Sequence, residues 1–596
     1  MNENAFARQI FSSTPPRGMG PGLSRVSATF LLAACALLTT SAMSAHAETS
    51  FRVRIDEKIQ ATPATGRLVV YLIKDSADKI NTDKVNAADQ HNKDPADGPF
   101  FENPQPMFGI DVSNLKPGQW FPLDAATLVN AEPNADTNAE PNADQNVATR
   151  PRSFPVALNM LPAGTYRVQA VLDVKRETSS WKREVGNLYS EVSTFTIDTD
   201  QVNNTDQAKN TDQVTKSDVK FSSTDITLTK SVTAEAIAPT PASGVEYVEI
   251  RSDLLSKFRG TDVYLRAGVI LPIDYNATRE GGYPAIYEVP GFGGDHTDAT
   301  ARVSRRANNV ATTPTGVLNR NAFWIILDPE GLNGHHLFAN SANNGPVGDA
   351  LITELIPALE KKFTLINDPQ ARLLRGHSSG GWSTLWLATQ YPQTFGASWS
   401  SSPDPVDFHK FQLVNIYDGL DAYIHEDAAI PSYRHKGSVK MTIAQENAME
   451  EVLGPDNTSG QQWDSWFAVF GPRSNAGTPA ALWDAATGRI NRDIALQYKA
   501  YDITDRLIAK PEVYTPIFNE RIRLIVGDQD NYYLNEAVEL LKANVAEPPP
   551  AAAKDIYHGF ITIIPGVDHG SIYMTPQLRG IPENMVEHLT RQGYIK

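Results

Sequence analysis

The sequence predicts an α/β fold, a mostly parallel sheet with helices on both faces, preceded by a smaller β-sandwich-like domain. After about residue 245, apolar strand-like runs alternate with helical segments, which is the pattern of βα units in a parallel sheet. Before about residue 200, apolar residues alternate at period two between turn residues, which is typical of antiparallel sheets. At 596 residues the chain is also too long for one ordinary core, so we expect two or more domains.

The β-rich domain is predicted over residues 48–200. FRVRI (51–55) alternates apolar and charged residues, and PAGTYRVQAVLDV (162–174) puts a turn before a period-two strand. Residues 131–146, AEPNADTNAEPNADQN, are an eight-residue unit written twice with one change. Such a polar tract buries too little apolar surface to fold, so we interpret it as a low-complexity insert. Residues 201–244, which contain a second polar reiteration, are interpreted as a linker.

The larger domain is predicted over residues 245–596. Its seven candidate strands are 263–271, 285–291, 322–328, 372–376, 397–401, 521–527 and 560–566. Apolar residues at helical spacing predict helices over 349–363 and 380–391. The interval from about 404 to 518 interrupts the alternation and is rich in aromatic residues. We interpret it as a cap-like insertion over the functional site, with an ordinary helical side-domain as the alternative.

The first 47 residues are interpreted as a signal peptide. Three arginines precede an apolar run, and AHA at 45–47 fits an A-x-A cleavage site. The protein is therefore expected to be secreted or periplasmic. Two alternatives stay open. One is an uncleaved membrane anchor, and the other is lipid attachment through Cys35, because LAAC (32–35) resembles a lipoprotein box.

Charge and cysteine content disfavour several classes of function. The net charge of −16 argues against nucleic acid or an anionic membrane as a partner. Cys35 is the only cysteine, so the cleaved protein would have no disulfide, thiolate metal site or cysteine nucleophile. No later apolar run is long enough to span a bilayer, so no integral membrane segment is expected after signal removal. No cofactor motif stands out, and oligomeric state cannot be read from the sequence.

Residues 374–382, LRGHSSGGW, place a serine in a Gly-x-Ser-x-Gly frame between a predicted strand and a predicted helix. A serine on such a sharp turn needs small neighbours, because Cβ atoms at Gly376 and Gly380 would collide with adjacent backbone. The turn would project the hydroxyl from the carboxyl edge of the sheet, at a helix N-terminus that favours developing negative charge. Ser378 is therefore predicted to be a nucleophile.

A serine nucleophile needs a base and an acid that orients the base. His569 follows the last predicted strand, and the segment GDQD follows the strand before it. Asp530 lies at the tip of that loop and is the predicted acid; Asp528 is the alternative, closer to the strand. Asp568 adjoins the histidine in sequence and is expected to be structural.

The other histidines are weaker candidates for the base. His558 precedes the last strand and His588 lies in a predicted terminal helix. His377, beside the nucleophile, is predicted to line the substrate pocket. His335 and His336 are expected to border the cleft rather than bind a metal, because no third ligand has suitable spacing. We therefore predict no metal site.

The glycine-rich segment VPGFGGDH (289–296) follows a predicted strand and could supply one donor of an oxyanion hole. We assign the two donors to the backbone amides of Phe292 and Ser379. Gly291 and Gly293 are candidate substrate contacts, because glycines let the backbone approach a substrate. Asn343, in the loop after the strand at 322–328, is a further candidate substrate contact.

The motifs PGFGG, GHSSGG, GDQD and DHGS, in this order, resemble the putative-esterase (esterase D-like) family of α/β-hydrolases over about residues 245–596. That family includes esterases and some acyltransferases, and the resemblance implies an α/β-hydrolase fold with Ser378, Asp530 and His569 as triad. This chain departs from the family at Pro290, where a histidine is commoner. The large insertion is also atypical, so the substrate class does not transfer.

The expected activity is hydrolysis of a carboxylic ester through an acyl-enzyme, on a small-molecule or polysaccharide-linked ester. An acyltransferase or a serine peptidase could use the same triad. A protein of another class, one that binds carbohydrate or cell surface and carries a vestigial hydrolase domain, is the remaining alternative. Since the base must be neutral, activity is expected to rise with pH through roughly 6–7, near the ordinary pKa of histidine.

Overall fold

The computed structural model describes residues 49–75, 93–98, 101–124, 152–197, 222–308, 311–545 and 559–595. The predicted signal peptide with Cys35, the repeat at 131–146, His558 and the first half of the predicted linker lie outside these described residues. Within them, no helix has both the length and the apolar character needed to cross a membrane.

The N-terminal part forms one hydrogen-bonded sheet of nine strands. These are β1 (Thr49–Ile55), β2 (Ala64–Lys74), β3 (Met107–Leu115), β4 (Phe121–Leu123), β5 (Arg152–Phe154), β6 (Gly164–Asp173), β7 (Leu188–Ser190), β8 (Ser193–Ile197) and β9 (Ser222–Ser231). Their order is β4-β1-β9-β7-β6-β2-β3-β5, with β8 pairing β6 beside β7. The alternation predicted for 51–55 is present, because Phe51, Val53 and Ile55 are fully buried in the core of this sheet. The predicted β-rich N-terminal region is therefore present, and its strands form one hydrogen-bonded sheet.

The strand β9 lies inside the predicted linker, residues 201–244, so that prediction is wrong for this segment. Residues 222–231 are not a connection but a strand that pairs in parallel with β1 and antiparallel with β7. The physical reason is visible in the sequence, because Ile226 and Leu228 stand two apart and both are buried.

The C-terminal part is built on a second sheet of eight strands. After β10 (Val245–Arg251), β11 (Tyr264–Ile270), β12 (Ala285–Val289), β13 (Phe323–Leu327) and the hairpin β14–β15 (Glu330–Gly331, Gly334–His335) come β16 (Arg372–His377) and β17 (Ala397–Ser401). The hairpins β18–β19 (Ile424–His425, Ala428–Ala429) and β20–β21 (Pro431–His435, Ser438–Thr442) then precede β22 (Ile522–Gly527) and β23 (Phe560–Ile564). All seven predicted strands are present, and the sequence reading missed only β10 of the eight.

The order of this sheet is β10-β11-β13-β12-β16-β17-β22-β23. The first two pairings are antiparallel and the other five are parallel. The carboxyl ends of β12, β16, β22 and β23 therefore meet at one edge, where open α/β sheets place their sites. The predicted fold class is confirmed.

The helices follow the chain from the end of the N-terminal sheet to the C-terminus, and several of them cover the two faces of the C-terminal sheet. They are α1 (Ala234–Ile237), α2 (Asp253–Arg259), α3 (Asp298–Ser304), α4 (Pro314–Asn321), α5 (Val347–Ala350), α6 (Ile356–Lys362), α7 (Ser379–Gln390), α8 (Ile443–Leu453), α9 (Gln462–Phe470), α10 (Arg492–Tyr498), α11 (Ile503–Ala509), α12 (Pro511–Arg521), α13 (Leu534–Asn544), α14 (Pro576–Arg579) and α15 (Ile581–Arg591). A π-helical turn, Leu351–Leu355, joins α5 to α6, so the helix predicted over 349–363 is present with a bulge. One core holds α5, α6, α7 and α13 against the sheet, and a second core holds α3, α4, α14 and α15 against its other face.

The insertion between β17 and β22 packs against the N-terminal sheet as well as the C-terminal one. Its helix α8 contacts β3 and β5, and Met449 and Val452 share a core with Val69 and Phe154. The guanidinium of Arg67 is fully buried and donates to the Val452 carbonyl at 2.9 Å. The insertion is thus fixed to both parts of the protein.

The aromatic residues of the insertion form its own core. The largest of them are almost completely buried and pack edge to face: Phe408, Phe411, Trp463, Trp466, Phe467, Phe470 and Trp483. Their abundance therefore reflects packing, and of the seven only Trp466 lies on the wall of the cleft described below.

Candidate active site

Ser378 lies on the sharp turn between β16 and α7. Its backbone has φ 58° and ψ −128°, which a residue with a Cβ rarely adopts and which costs about 1–3 kcal/mol. Three hydrogen bonds hold it there: the Ser378 amide donates to the Ser401 carbonyl at 3.0 Å, and its carbonyl accepts from Trp382 at 3.1 Å and Asp404 at 3.3 Å. The turn is fixed by neighbouring backbone rather than by the serine itself, so the hydroxyl is free to react.

The glycines around Ser378 are required by close backbone contacts. A Cβ on Gly376 would lie 2.0 Å from the carbonyl oxygen of Gly380, and one on Gly380 would lie 2.0 Å from that of Val289. A Cβ on Gly381 would meet the Ser401 carbonyl oxygen at 2.7 Å. Both distances at the turn are far below any real contact, so the Gly-x-Ser-x-Gly frame follows from the packing of β16, β12 and α7.

His569 and Asp530 form an ion-paired hydrogen bond after the last two strands. Nδ1 of His569 lies 2.7 Å from Oδ2 of Asp530, which has no exposed surface. The other carboxylate oxygen, Oδ1, accepts from the amides of Tyr532 at 2.9 Å and Leu534 at 3.5 Å. The backbone thus orients the acid, and the acid orients the imidazole with Nε2 as its free nitrogen.

The two other acids near this pair have different partners. Oδ1 of Asp528 accepts from the Gly566 amide at 2.7 Å and so braces the turn after β23. Asp568 accepts from the Ser571 amide at 2.7 Å. Asp530 is therefore the acid that contacts the imidazole, and the catalytic roles stay predictions.

Buried carboxylates control the charge of His569. Burial by itself lowers the pKa of His569, but the charge and hydrogen bond of Asp530, with smaller contributions from Asp404 and Asp568, raise that pKa above its ordinary value. The rise of activity with pH is therefore expected above the ordinary pKa of histidine, higher than the sequence alone suggested. Asp404 is itself 2% exposed, and burial raises its pKa to about 6.

The predicted oxyanion loop lies directly against the serine turn. A Cβ on Gly291 would lie 3.1 Å from the His377 carbonyl oxygen and 3.3 Å from Cβ of Ser378. The amides of Phe292 and Ser379 donate to no acceptor among the described residues. Two free amides thus lie beside the serine, one on each side of the gap between β12 and β16.

Two side chains that the sequence reading did not assign hold this loop. Nδ1 of His335 accepts from the Leu337 amide, so Nε2 carries the proton and donates to the Pro290 carbonyl at 3.0 Å. Burial lowers the pKa of His335 to about 4, which keeps it neutral. Arg183, from the N-terminal domain, donates to the Gly293 carbonyl and pairs with Asp295 at 3.1 Å.

A third unassigned side chain, Arg434 of the insertion, holds the acid loop. Its guanidinium donates to the carbonyls of Asp530 at 2.9 Å and Asp528 at 3.1 Å. No local motif marks any of the three, because each acts on a segment at least 45 residues away in the chain.

Two of the four candidate substrate contacts lie on the wall of the cleft, and two do not. Gly291 and His377 lie on the wall of the cleft, and the His377 ring centroid lies 4.5 Å from that of His569. Burial lowers the pKa of His377 well below its ordinary value, so it stays neutral. Gly293 is exposed on the far side of the loop and does not line the cleft. Its left-handed φ of 81° makes it a turn residue, which corrects the prediction.

Asn343 also does not line the cleft. Its buried amide nitrogen donates to the carbonyls of Ala468 and Gly471, both at 3.1 Å, near the C-terminus of α9. It therefore fastens the insertion to the loop after β13. His588 lies in α15, as predicted, and its Nε2 bonds the Gln370 carbonyl.

The cleft around Ser378 has a volume of about 1040 Å³. The N-terminal domain contributes Phe101 to its wall, and the insertion contributes polar residues, among them Glu446, Glu450 and Gln462. The two glutamates are at most 2% exposed, and burial raises the pKa of both, to about 7 for Glu446. The insertion therefore closes one side of the cleft with a polar, carboxyl-rich wall.

One cluster of possible metal ligands lies outside the cleft wall. Asp407, His409 and Asp502 bring ligand atoms within 4.8 Å of one another. Their oxygen atoms already accept from protein donors, among them the amides of His409 and Phe408 and the hydroxyl of Tyr417. The cluster thus serves to connect the ends of the insertion.

Residues 261–548 match the family model described as "Putative esterase". No curated protein matches the sequence of the chain. Among solved structures, the chain is similar to FphF, a fluorophosphonate-binding serine hydrolase of Staphylococcus aureus, with 16% identity, a TM-score of 0.31 and coverage of 58% of this chain and 99% of FphF. It is similar to an S-formylglutathione hydrolase from Agrobacterium tumefaciens with 14% identity, a TM-score of 0.31 and coverage of 60% and 98%.

A ferulic acid esterase from Anaeromyces mucronatus is 13% identical, with a TM-score of 0.24 and coverage of 56% of this chain and 88% of its own. These structural likenesses are too weak to bear on the substrate. The family match covers β11 to β22 and the serine turn but not β23 or His569, and the sheet order and the Gly-x-Ser-x-Gly turn agree with it. Residues 261–548, just under half of the chain, therefore match the putative-esterase family in the segment that carries the serine turn.

Proposed function

We propose that this protein is a serine-dependent carboxylic ester hydrolase that works through an acyl-enzyme. The observation that carries the proposal is the strained serine turn at Ser378, with two free amides beside it and with His569, hydrogen-bonded to the buried Asp530, on the wall of the same cleft. These groups are a nucleophile, a base with its orienting acid, and an oxyanion hole, which together make up the machinery of acyl transfer.

In the first half of the reaction, Oγ of Ser378 attacks the ester carbonyl carbon while Nε2 of His569 takes the hydroxyl proton. Negative charge develops on the carbonyl oxygen, where the amides of Phe292 and Ser379 stabilise it. Asp530 stabilises the imidazolium and keeps its proton-bearing Nδ1 in place. The intermediate collapses, the bond to the alcohol oxygen breaks, and the alcohol leaves with the proton from Nε2.

In the second half, a water molecule takes the place of the alcohol. His569 removes its proton, the hydroxide attacks the acyl carbon, and the ester bond to Ser378 breaks as Nε2 returns the proton to the serine. The acid product then leaves. Transfer to an alcohol would make the protein an acyltransferase, and attack on an amide would make it a peptidase.

The substrate is proposed to be a small-molecule ester or an ester carried on a polysaccharide. The size and the polar side walls of the cleft support an ester with hydrogen-bonding groups. We further propose that residues 1–47 direct the protein to the periplasm or the medium, on the sequence features given above. The N-terminal sheet supports the cleft through Phe101 and Arg183, so a separate binding function is not needed to account for it.

The test is hydrolysis of p-nitrophenyl acetate by the purified protein and its Ser378→Ala variant. We expect turnover with the wild type and a loss of at least about a thousandfold in kcat for Ser378→Ala. The matched control is Ser193→Ala, an exposed serine of β8 that should leave the rate unchanged. A fluorophosphonate probe should label the wild type and the control but not Ser378→Ala.

Two results would end the proposal. One is full p-nitrophenyl acetate hydrolysis by Ser378→Ala. The other is a wild type that is folded yet neither hydrolyses the ester nor reacts with the probe, which would favour the binding protein with a vestigial hydrolase domain.

A further inference from the structure

The cleft continues past Ser378 onto the face of the sheet that α3, α4, α14 and α15 cover. This second part, the arginine arm, is lined by Arg302, Arg305, Arg306, Arg375 and Arg579. Trp324 and Asn319 complete its wall. Within a chain of net charge −16, five arginines around one cavity are an unusual concentration of positive charge.

Protein carboxylates neutralise only part of this positive charge. Arg302 pairs with Glu288 at 2.5 Å, and Arg306 donates to the carbonyls of Leu271 and Asn319. Arg305, Arg375 and Arg579 form no ion pair with any described residue. Among the described residues that line the arm, the carboxylates are Glu288 and, at its junction with the oxyanion loop, Asp298. Arg375 is partly buried, whereas Arg305 and Arg579 are exposed to solvent. A partly buried cation without a counter-charge is costly unless an anion binds near it.

Buried neutral donors in the arm also lack acceptors. Nδ2 of Asn319 and Nε1 of Trp324 are buried and make no hydrogen bond, and their residues are only 4% and 2% exposed. Nε of Arg306 is likewise buried and makes no hydrogen bond. All three atoms can only donate, so the group that satisfies them must accept. Both the charge and the hydrogen-bonding demand therefore point to an oxyanion.

The arm lies within reach of the nucleophile. Arg375 and Ser378 are three residues apart along one strand and its turn, which is about 10 Å at the usual strand rise. Tyr573 lines the passage between them, with its ring 4.8 Å from that of His377. On the other side of Ser378 the wall carries the carboxyl groups of Asp404, Glu446 and Glu450. The cleft is thus positive at one end and acidic at the other, so it would orient a ligand that has one anionic end.

We propose that the arginine arm is a subsite for an oxyanion group, a carboxylate, phosphate or sulfate, carried by the ester substrate. This proposal rests on the ester hydrolase function proposed above and adds the substrate class to it. Guanidinium groups bind such groups through charge-assisted, often bidentate hydrogen bonds, and the Trp324 indole, with the Arg302 guanidinium 3.8 Å above its ring, adds a further donor.

Direct binding tests the subsite without reference to catalysis. Inorganic phosphate and suberate are titrated calorimetrically at low ionic strength into the wild type, Arg375→Gln, Arg375→Gln/Arg579→Gln and the control Arg320→Gln. Arg320 is exposed on α4, pairs with Asp274 and lies outside the cleft. We expect at least one of the two ligands to bind the wild type and the control, and its affinity to fall by at least about tenfold in the double variant. If the Arg375 variants do not fold, Arg579→Gln alone replaces them in this test, because Arg579 is exposed and its substitution should not disturb the fold. No binding of either ligand by the wild type, or equal binding by all folded variants, would overturn the subsite.

Kinetics test whether the anion belongs to the substrate. Mono-p-nitrophenyl esters of succinate, adipate and suberate are compared with p-nitrophenyl butyrate, hexanoate and octanoate. The quantity compared is the ratio of kcat/KM for the anionic ester to kcat/KM for the neutral ester of the same length. We expect this ratio to rise with chain length in the wild type. We expect it to fall about tenfold in the Arg375 and Arg579 variants but not in Arg320→Gln. If anions bind but the ratio is the same at every length and in every variant, the substrate assignment is wrong. A protein that binds anions and hydrolyses none of the six esters would instead count against the ester hydrolase function.

Discussion

Asp530→Asn tests the acid of the triad, because the surrounding backbone dictates how an asparagine would sit. Oδ1 of Asp530 accepts two amide protons, from Tyr532 and Leu534, and an asparagine must keep its oxygen there. Its NH2 group would then face Nδ1 of His569, which lies 2.7 Å from the present Oδ2. To accept that donor, the ring must lose its proton from Nδ1 and carry it on Nε2, so the nitrogen facing the substrate would no longer be a base.

The size of the expected fall in kcat follows from the loss of the His569 tautomer whose Nε2 is unprotonated and can act as the base. In serine hydrolases this substitution lowers kcat by about ten-thousandfold, so we expect about a thousand- to ten-thousandfold here, which is about 4–5 kcal/mol. The matched control is Asp528→Asn, whose side-chain oxygen can still accept from Gly566, and we expect a change of less than about threefold. The assay is kcat for p-nitrophenyl acetate, with thermal unfolding to show that both variants fold.

The reasoning would be refuted if Asp528→Asn lost more activity than Asp530→Asn. It would also be refuted if Asp530→Asn retained more than about a tenth of the wild-type kcat, since the imidazole would then be oriented by something other than this carboxylate.

Two further predictions concern groups outside the triad. Burial lowers the pKa of His569, whereas the charges of Asp530 and Asp404 raise it. Because Asp404→Asn removes one of these charges, it should move the acid limb of the pH profile of kcat/KM to lower pH. An acid limb that stays in place or moves to higher pH would contradict the assigned electrostatics. Arg183→Ala should lower kcat for p-nitrophenyl acetate by about tenfold by freeing the oxyanion loop, less than the hundredfold or more that follows loss of a hole donor. Arg176→Ala is its control, because Arg176 donates to Thr458 of the insertion and not to the loop, and equal losses in both variants would point to general destabilisation.

The sequence predicted most accurately those features whose causes are local. The strands of the catalytic sheet carry near-continuous apolar runs because they are buried on both faces, as for Phe323–Leu327, in which every residue is buried. The serine turn has a local sequence pattern too, since Gly376, Ser378 and Gly380 stand within five residues, although Gly380 is required by the approach of Val289. The pairing of Asp530 with His569 could be predicted because parallel strands end at one edge, which brings these two residues together across 39 residues.

What the sequence could not predict depends on contacts between distant segments. Asn343 was chosen because its loop follows a strand that ends near the site, but whether a loop residue faces the cleft or the insertion is decided by packing with α9. His335 and Arg183 hold the oxyanion loop from 45 and 110 residues away, and a buried histidine or an arginine in a β-domain has no pattern that reveals its partner. β9 is different, because its period-two signal was present and was hidden by the polar residues around it.

The N-terminal sheet is part of the candidate active site rather than an appended module. Arg67 reaches the insertion helix α8 from a fully buried position, and Arg183 reaches the oxyanion loop. Since α8 also supplies Glu446 and Glu450 to the cleft wall, the position of that wall depends on the N-terminal core against which α8 packs. Without this sheet, the C-terminal part would expose the apolar face of α8 and lose the Arg183 contact with the loop bearing Gly293. The insertion and the N-terminal sheet must therefore pack together for the cleft to take this shape.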